Sequence, residues 1–210
     1  MKTRKYCAII GDINKSRRLE NRNKIQNDFQ KAIDRINREF KRDIASKFLI
    51  TLGDEFQGLL LSPRESYFLI RRFQELMEPV GFAFGIGIGT ISTSFKKVTT
   101  TMDGDVFHRA RKALEASKKQ RRTLLFDFDH PSLTVTNVLA GLIHNQWLQL
   151  TPKQRRIAEL MKHHQNQTQV AKILSISQPS VWKVVRSTNL DVLHEAEVLL
   201  ARFLATLLPN

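Results

Sequence analysis

Cysteine is nearly missing from this chain: Cys7 is the only one in 210 residues. That excludes a disulfide framework and a cysteine-based zinc site, and suits a reducing cytosol. Long hydrophobic runs are missing too. None approaches the roughly 20 apolar residues that a membrane helix needs. The N-terminal run ends in Gly11-Asp12, too short for a signal peptide and without a small-residue cleavage site. The expectation is a cytoplasmic protein with no membrane partner. Acids are scarce: 20 Asp and Glu stand against 34 Lys and Arg, a formal net charge of +14. Such an excess favours polyanions, nucleic acid first and an anionic membrane surface second. What is present is 41% hydrophobic residues, enough for one sizeable domain and a small one.

The first half alternates strands and helices. Tyr6–Ile10 reads as a central strand because successive positions are apolar. A helix over about 23–42 follows, with Ile25, Phe29, Ile33, Ile36 and Phe40 stepping by three or four. Phe48–Leu52, Gly53-Asp54 and Phe56–Leu61 read as strand, two-residue turn, strand. Ser62 caps a second helix with Pro63 in its first turn. Phe82–Ile91 is a strand with Gly85, Gly87 and Gly89 on one face. The GxGxxG spacing is absent, so this is no dinucleotide fingerprint. The glycine face reads equally as close packing against a helix or as room for a ligand. Val106–Ser117 is a third helix, and Thr123–Phe128 a last strand. The fold class expected is α+β: a ferredoxin-like βαββαβ domain over 1–130 with one added αβ unit, then an all-α domain over 131–210.

The second half reads as helical throughout. Within it, QTQVAKILSISQPSVWKVVRS has the form of a helix-turn-helix, in a region of about 151–187. Ala171 is the small residue at the helix crossing, Ile176 plugs the turn, and Val181 and Val184 anchor the second helix. Ser177, Gln178, Ser180, Lys183 and Arg186 would face outward, hydroxyls and amides for base edges, cations for phosphates. From Pro152 to Arg186 the only acid is Glu159, against seven Lys and Arg. The partner expected is double-stranded DNA; the alternative is a helical bundle without DNA contact. Trp182 is assigned to the core. The final helix, Asp191–Leu208, has an apolar stripe that either covers the helix-turn-helix or pairs with a second copy in a homodimer.

In a βαββ order the end of the first strand and the tip of the first hairpin lie side by side, so Asp12 and Asp54 converge. Two hard carboxylates at one rim suit Mg²⁺, which completes its shell with water and phosphate oxygens. Glu55 flanks them, with strand alternation pointing it to the opposite face. Lys15, Ser16 and Arg17 follow Asp12 and suit a phosphate ligand. The plain alternative is a pair of turn aspartates acting as polar caps.

AIIGDINKSRRL, LITLGDEFQGLL, FGIGIGTI and DGDVFHRARKAL occur in the order of the signature segments of class III nucleotidyl cyclases, which the region 6–128 resembles. LGDEF also resembles the GGDEF domain of diguanylate cyclases. The resemblance implies metal aspartates at Asp12 and Asp54, ligand contacts near Gly53 and Glu55, and a ligand-facing Arg111. Ile50 stands where cyclases carry a base-selecting Lys, Phe107 where they carry a transition-state Asn, and Leu52 at the first Gly of GGDEF. The resemblance therefore implies the fold and a nucleotide or phosphate ligand, not cyclic-nucleotide synthesis. The whole layout, with GDI-x-x-SR, TLGDEFQG and the helix-turn-helix tail, resembles the SatD family of small bacterial proteins. Three functions are weighed from this: a DNA-binding transcription regulator whose cyclase-like domain binds a metal or nucleotide, a metal-dependent nucleotide-processing enzyme with a DNA-targeting tail, or a pure assembly module with no ligand.

Overall fold

The computed structural model describes residues 4–14, 21–93, 102–162 and 166–208. Two compact units form: residues 1–141 with 201–210, and residues 142–200. The division falls inside a helix at Gly141, beyond the break expected at 130.

The first unit is mixed α+β. Its elements are β1 (Lys5–Ile13), α1 (Arg22–Glu39), β2 (Ile44–Leu52), β3 (Glu55–Leu60), α2 (Ser66–Met77), β4 (Phe82–Thr90), α3 (Asp105–Gln120) and β5 (Leu124–Asp127). The five strands lie in the order β2-β3-β1-β4-β5. β1 is central, antiparallel to β3 and β4, and β5 joins β4 in parallel. Alternation along the strands sorts the two faces. Phe56, Phe82 and Phe84 meet Phe29 of α1 and Phe73 of α2, with Phe56 and Phe73 centroids 4.5 Å apart. Ala8, Ile10, Leu59 and Ala83 face Val106, Phe107, Ala110 and Leu114 of α3.

The glycine strand packs against α3. A Cβ on Gly85 would run into the backbone of Ala110 and Leu114, and one on Gly87 into Val106 and Ala110. Of the two readings of that face, close packing is the one the structure contains. Phe107, at the position of the cyclase Asn, is 8% exposed and fills the same core.

Both edge strands are covered by an asparagine. Asn37 of α1 donates to the Phe48 carbonyl and accepts from the Phe48 amide, both at 2.8 Å. Asn137 of α4 (Leu133–Gln149) does the same for Phe126, at 3.0 and 2.7 Å. A primary amide presents one donor and one acceptor as a neighbouring strand would, so it closes an edge that is otherwise a pairing hazard. Ser62 caps as expected, but what it caps is a 3₁₀ turn at Pro63–Glu65 that leads into α2.

The second unit contains the end of α4, α5 (Pro152–Lys162), α6 (Gln167–Ile173), α7 (Gln178–Ser187) and most of α8 (Leu190–Thr206). Thr151 and Gln154 cap α5 reciprocally, Asn166 and Gln169 cap α6 in the same way, and Ser177 caps α7. Trp147, Ile157, Val170, Val181 and Leu200 are buried within it. Lys162 lies 2.7 Å from the buried Glu197 and 5.1 Å from the Trp147 ring centroid. No helix among the described residues is long and apolar enough to cross a membrane.

Candidate functional site

β1 and β3 bring the sequence-selected acids to one end of the sheet. Asp12 is the cross-strand partner of Glu55, and the Ile13 amide donates to the Asp54 carbonyl at 2.9 Å. Gly53 takes φ of 41° in the turn and its carbonyl accepts from Gln26 at 2.8 Å. Its role is the left-handed turn conformation that glycine adopts without strain.

Glu55 corrects the expectation. Alternation counted from Asp54 sends it to the far face, but Asp54 belongs to the turn and does not set the pleat. Counted from the pairing with Asp12, Glu55 shares the α3 face. There Arg111 holds it through two hydrogen bonds, from Nη1 to Oε2 and from Nη2 to Oε1, the second at 2.8 Å, and Thr51 donates to Oε1 at 3.0 Å. Lys118, one residue past the expected end of α3, places Nζ 2.7 Å from Asp12 Oδ2. Sequence reasoning assigned Lys118 to a charged connection. The usable signal was its seven-residue spacing from Arg111, which puts both on one helix face.

Burial pushes the Asp12 carboxyl up, and the charges of Asp54 and Glu55 add to this. The Lys118 contact opposes without reversing it, and Asp12 stays above the ordinary carboxylate range. Burial also raises Glu55, but the Arg111 hydrogen bonds and charge, helped by Thr51, outweigh it and hold Glu55 low. One rim thus carries an engaged acid and a crowded one. Lys15, Ser16 and Arg17 lie outside the described residues. His108 and Arg109 sit nearer the start of α3: His108 is exposed and 3.2 Å from Asp103, and Arg109 pairs with Asp105 at 2.7 Å.

In the second unit, α6 and α7 are joined by a turn in which Ser175 takes φ of 52° and the Ile176 amide donates to the Ala171 carbonyl at 3.0 Å. Ala171 is buried at the crossing. Ser177, Gln178, Ser180, Lys183 and Arg186 are all exposed. Two expectations change. Val181 and Val185 are the buried anchors, while Val184 is half-buried, because four-residue spacing keeps the pair on one side. Trp182 is 52% exposed, since it follows the anchor Val181 by one position and turns away from the unit.

A family model for SatD matches residues 6–123, more than half of the chain. The chain belongs to the SatD family. No curated protein matches it. Among solved structures it is similar to a bacterial light-regulated adenylyl cyclase, 14% identical over 60% of this chain and 77% of that one, with a TM-score of 0.44. It is also similar to the monomeric guanylyl cyclase domain of the RhoGC fusion protein from the aquatic fungus Blastocladiella emersonii. There the identity is 14%, over 54% of this chain and 75% of that one, with a TM-score of 0.38. These likenesses transfer no activity to this SatD-family chain.

Proposed function

We propose that this SatD-family chain is a DNA-binding regulator. In this reading the sheet unit is a ferredoxin-like, cyclase-like domain, and α6 and α7 form a helix-turn-helix. The carrying observation is α7 itself. Val181 and Val185 fasten one side, and the other side offers Ser177, Gln178, Ser180, Lys183 and Arg186 to solvent. That set suits a helix entering a major groove, with hydroxyls and an amide for base edges and cations for the flanking phosphates. The test is duplex binding by fluorescence anisotropy across a salt series. Lys183→Ala with Arg186→Ala weakens binding on the order of tenfold per cation. It also flattens the slope of log affinity against log salt by about one per lost phosphate contact. An affinity unmoved by the double substitution sinks this reading.

A second reading, a metal-dependent nucleotide-processing enzyme, has its own support: Asp12 is held above the ordinary carboxylate range by burial and by Asp54 and Glu55. A hard divalent cation relieves that crowding. Among the described residues no group of three or more His, Cys, Asp or Glu side chains is set to hold a metal ion. Asp12 and Asp54 as the only protein ligands fit Mg²⁺, which keeps several waters and takes phosphate oxygens. The ion would supply charge neutralisation for those phosphates. Lys118 competes with it for Asp12, and Glu55 is engaged by Arg111. In calorimetry with Mg²⁺ and a nucleoside triphosphate, Asp12→Asn and Asp54→Asn each abolish binding. No heat from the unmodified protein ends this second reading.

A further inference from the structure

Helix α4 turns an apolar face outward that its own chain leaves uncovered. Val135, Val138, Leu139 and Leu142 are 68, 46, 36 and 64% exposed. They stand at i, i+3, i+4 and i+7, the spacing of a helix–helix seam. The opposite side is already buried through Thr136, Ala140, Ile143 and Trp147. A Cβ added to Gly141, at the edge of the outward face, would meet nothing within 4 Å, so a neighbouring side chain has room there. The remaining outward positions are Thr134, Asn145, Gln146 and Gln149, a polar uncharged margin.

We propose that this face is where a second copy of the chain docks, α4 against α4 about a two-fold axis near Val138. Charge selects this occupant. The chain carries a net +14, yet none of the residues from Leu133 to Gln149 is Asp, Glu, Lys or Arg. Two copies of a strongly basic protein repel over most of their surfaces and approach best through a neutral one. A polyanion attracted elsewhere finds no cation along α4 itself. An isologous contact also needs a self-complementary patch, which an apolar seam with a small residue at its edge provides. The final helix, whose apolar stripe was expected either to cover the helix-turn-helix or to pair copies, is not the seam: Leu193, Leu200 and Leu204 are buried in the chain, and Glu195 stands exposed between Val192 and Leu199. A single helix pair about 25 Å long covers less than the roughly 800 Å² per partner of a standard interface, so the dimer is of the weak, concentration-dependent class.

The test uses the full chain without DNA. Light scattering after gel filtration, at roughly 1–100 μM, shows the mass climbing from 24.3 kDa towards twice that value. Val138→Lys with Leu142→Lys holds it at the monomer mass, with unchanged circular dichroism. A crosslink tests the same geometry without disturbing the seam. Cys7 is 0% exposed, so Val138→Cys adds the accessible thiol among the described residues. Under mild oxidation Val138→Cys forms a disulfide-linked dimer, while Val192→Cys, 65% exposed on α8, forms no disulfide-linked dimer. Three results overturn the proposal: an unmodified protein that stays monomeric throughout, a dimer indifferent to the lysines, or equal crosslinking of both cysteine variants.

Discussion

Asp12 and Glu55 face each other across the antiparallel pairing of β1 and β3, and α3 meets each with a cation. Arg111 takes Glu55 and Lys118 takes Asp12. The two pairs are not equivalent. Glu55 is 6% exposed at its side chain, Asp12 17%. Removing Arg111 leaves Glu55 Oε2 without a donor where water scarcely reaches, with Thr51 alone still holding Oε1, a loss of about 1–3 kcal/mol for an unsatisfied buried acceptor. Arg111→Ala therefore lowers the thermal midpoint, and adding Glu55→Gln recovers part of the loss. A double-mutant cycle by calorimetric melting reads the coupling. Additive single effects would show that the pair contributes nothing beyond its separate members.

The paired asparagines on the sheet edges give a prediction about the fold. Asn37→Ala leaves the Phe48 amide and carbonyl without their side-chain partner, and Asn137→Ala does the same at Phe126. Each substitution removes two hydrogen bonds of about 1 kcal/mol, so each lowers stability by about 1–3 kcal/mol in urea unfolding. Each also bares a strand edge, and aggregation at elevated temperature rises with it. Asn→Asp at either site keeps the acceptor but sets a carboxylate oxygen against the strand carbonyl, and costs at least as much as alanine.

Periodicity in the sequence carried most of the first unit. The alternation in Phe82–Thr90 put three glycines on one face, and the three- and four-residue steps of Ile25, Phe29, Ile33 and Ile36 marked the buried side of α1. The acidic rim was legible because βαββ connectivity places the end of β1 beside the β2–β3 turn. Its cations were not. Arg111 was reached through a resemblance, and Lys118 was lost because a run of Lys and Arg gives no sign of where a helix stops. The glycine face stayed ambiguous for a related reason: spacing tells which face is bare, not what lies against it. Trp182 was misassigned because its type favours burial, whereas one step of 100° around α7 from Val181 decided its environment.

Glu39 supplies a pH dependence. Arg72 donates to it at 2.9 and 3.1 Å from the neighbouring helix, and Arg35 at 2.7 Å. Those hydrogen bonds, Arg72 foremost and against some opposing burial, hold its carboxyl below the ordinary value. The unfolded chain therefore binds the proton more readily than the folded one. The contribution to stability is complete above about pH 4.3 and disappears as pH falls through the folded value. The site is about one-third exposed, and solvent screening keeps the effect small. Glu39→Gln should lower the melting temperature by roughly 1–3 °C at pH 7, and the two melting curves should converge near the acid limit. A constant offset across that range would mean that packing, not charge, links α1 to α2.

Trp182 makes the DNA-binding reading visible by fluorescence. The chain has two tryptophans: Trp147 is 2% exposed and Trp182 is 52% exposed. Acrylamide in the free protein therefore quenches mainly Trp182, and the Trp182→Phe variant keeps a blue-shifted, poorly quenched emission from Trp147 alone. Trp182 is next to Lys183 and on the same helix as Ser180 and Arg186, so a duplex lying on α7 covers the indole. Adding duplex DNA should shift the emission and protect it from acrylamide, with the same midpoint as anisotropy and the same loss at high salt. If anisotropy reports binding while Trp182 stays fully quenchable, the duplex sits on another basic surface and α7 is not the reading helix.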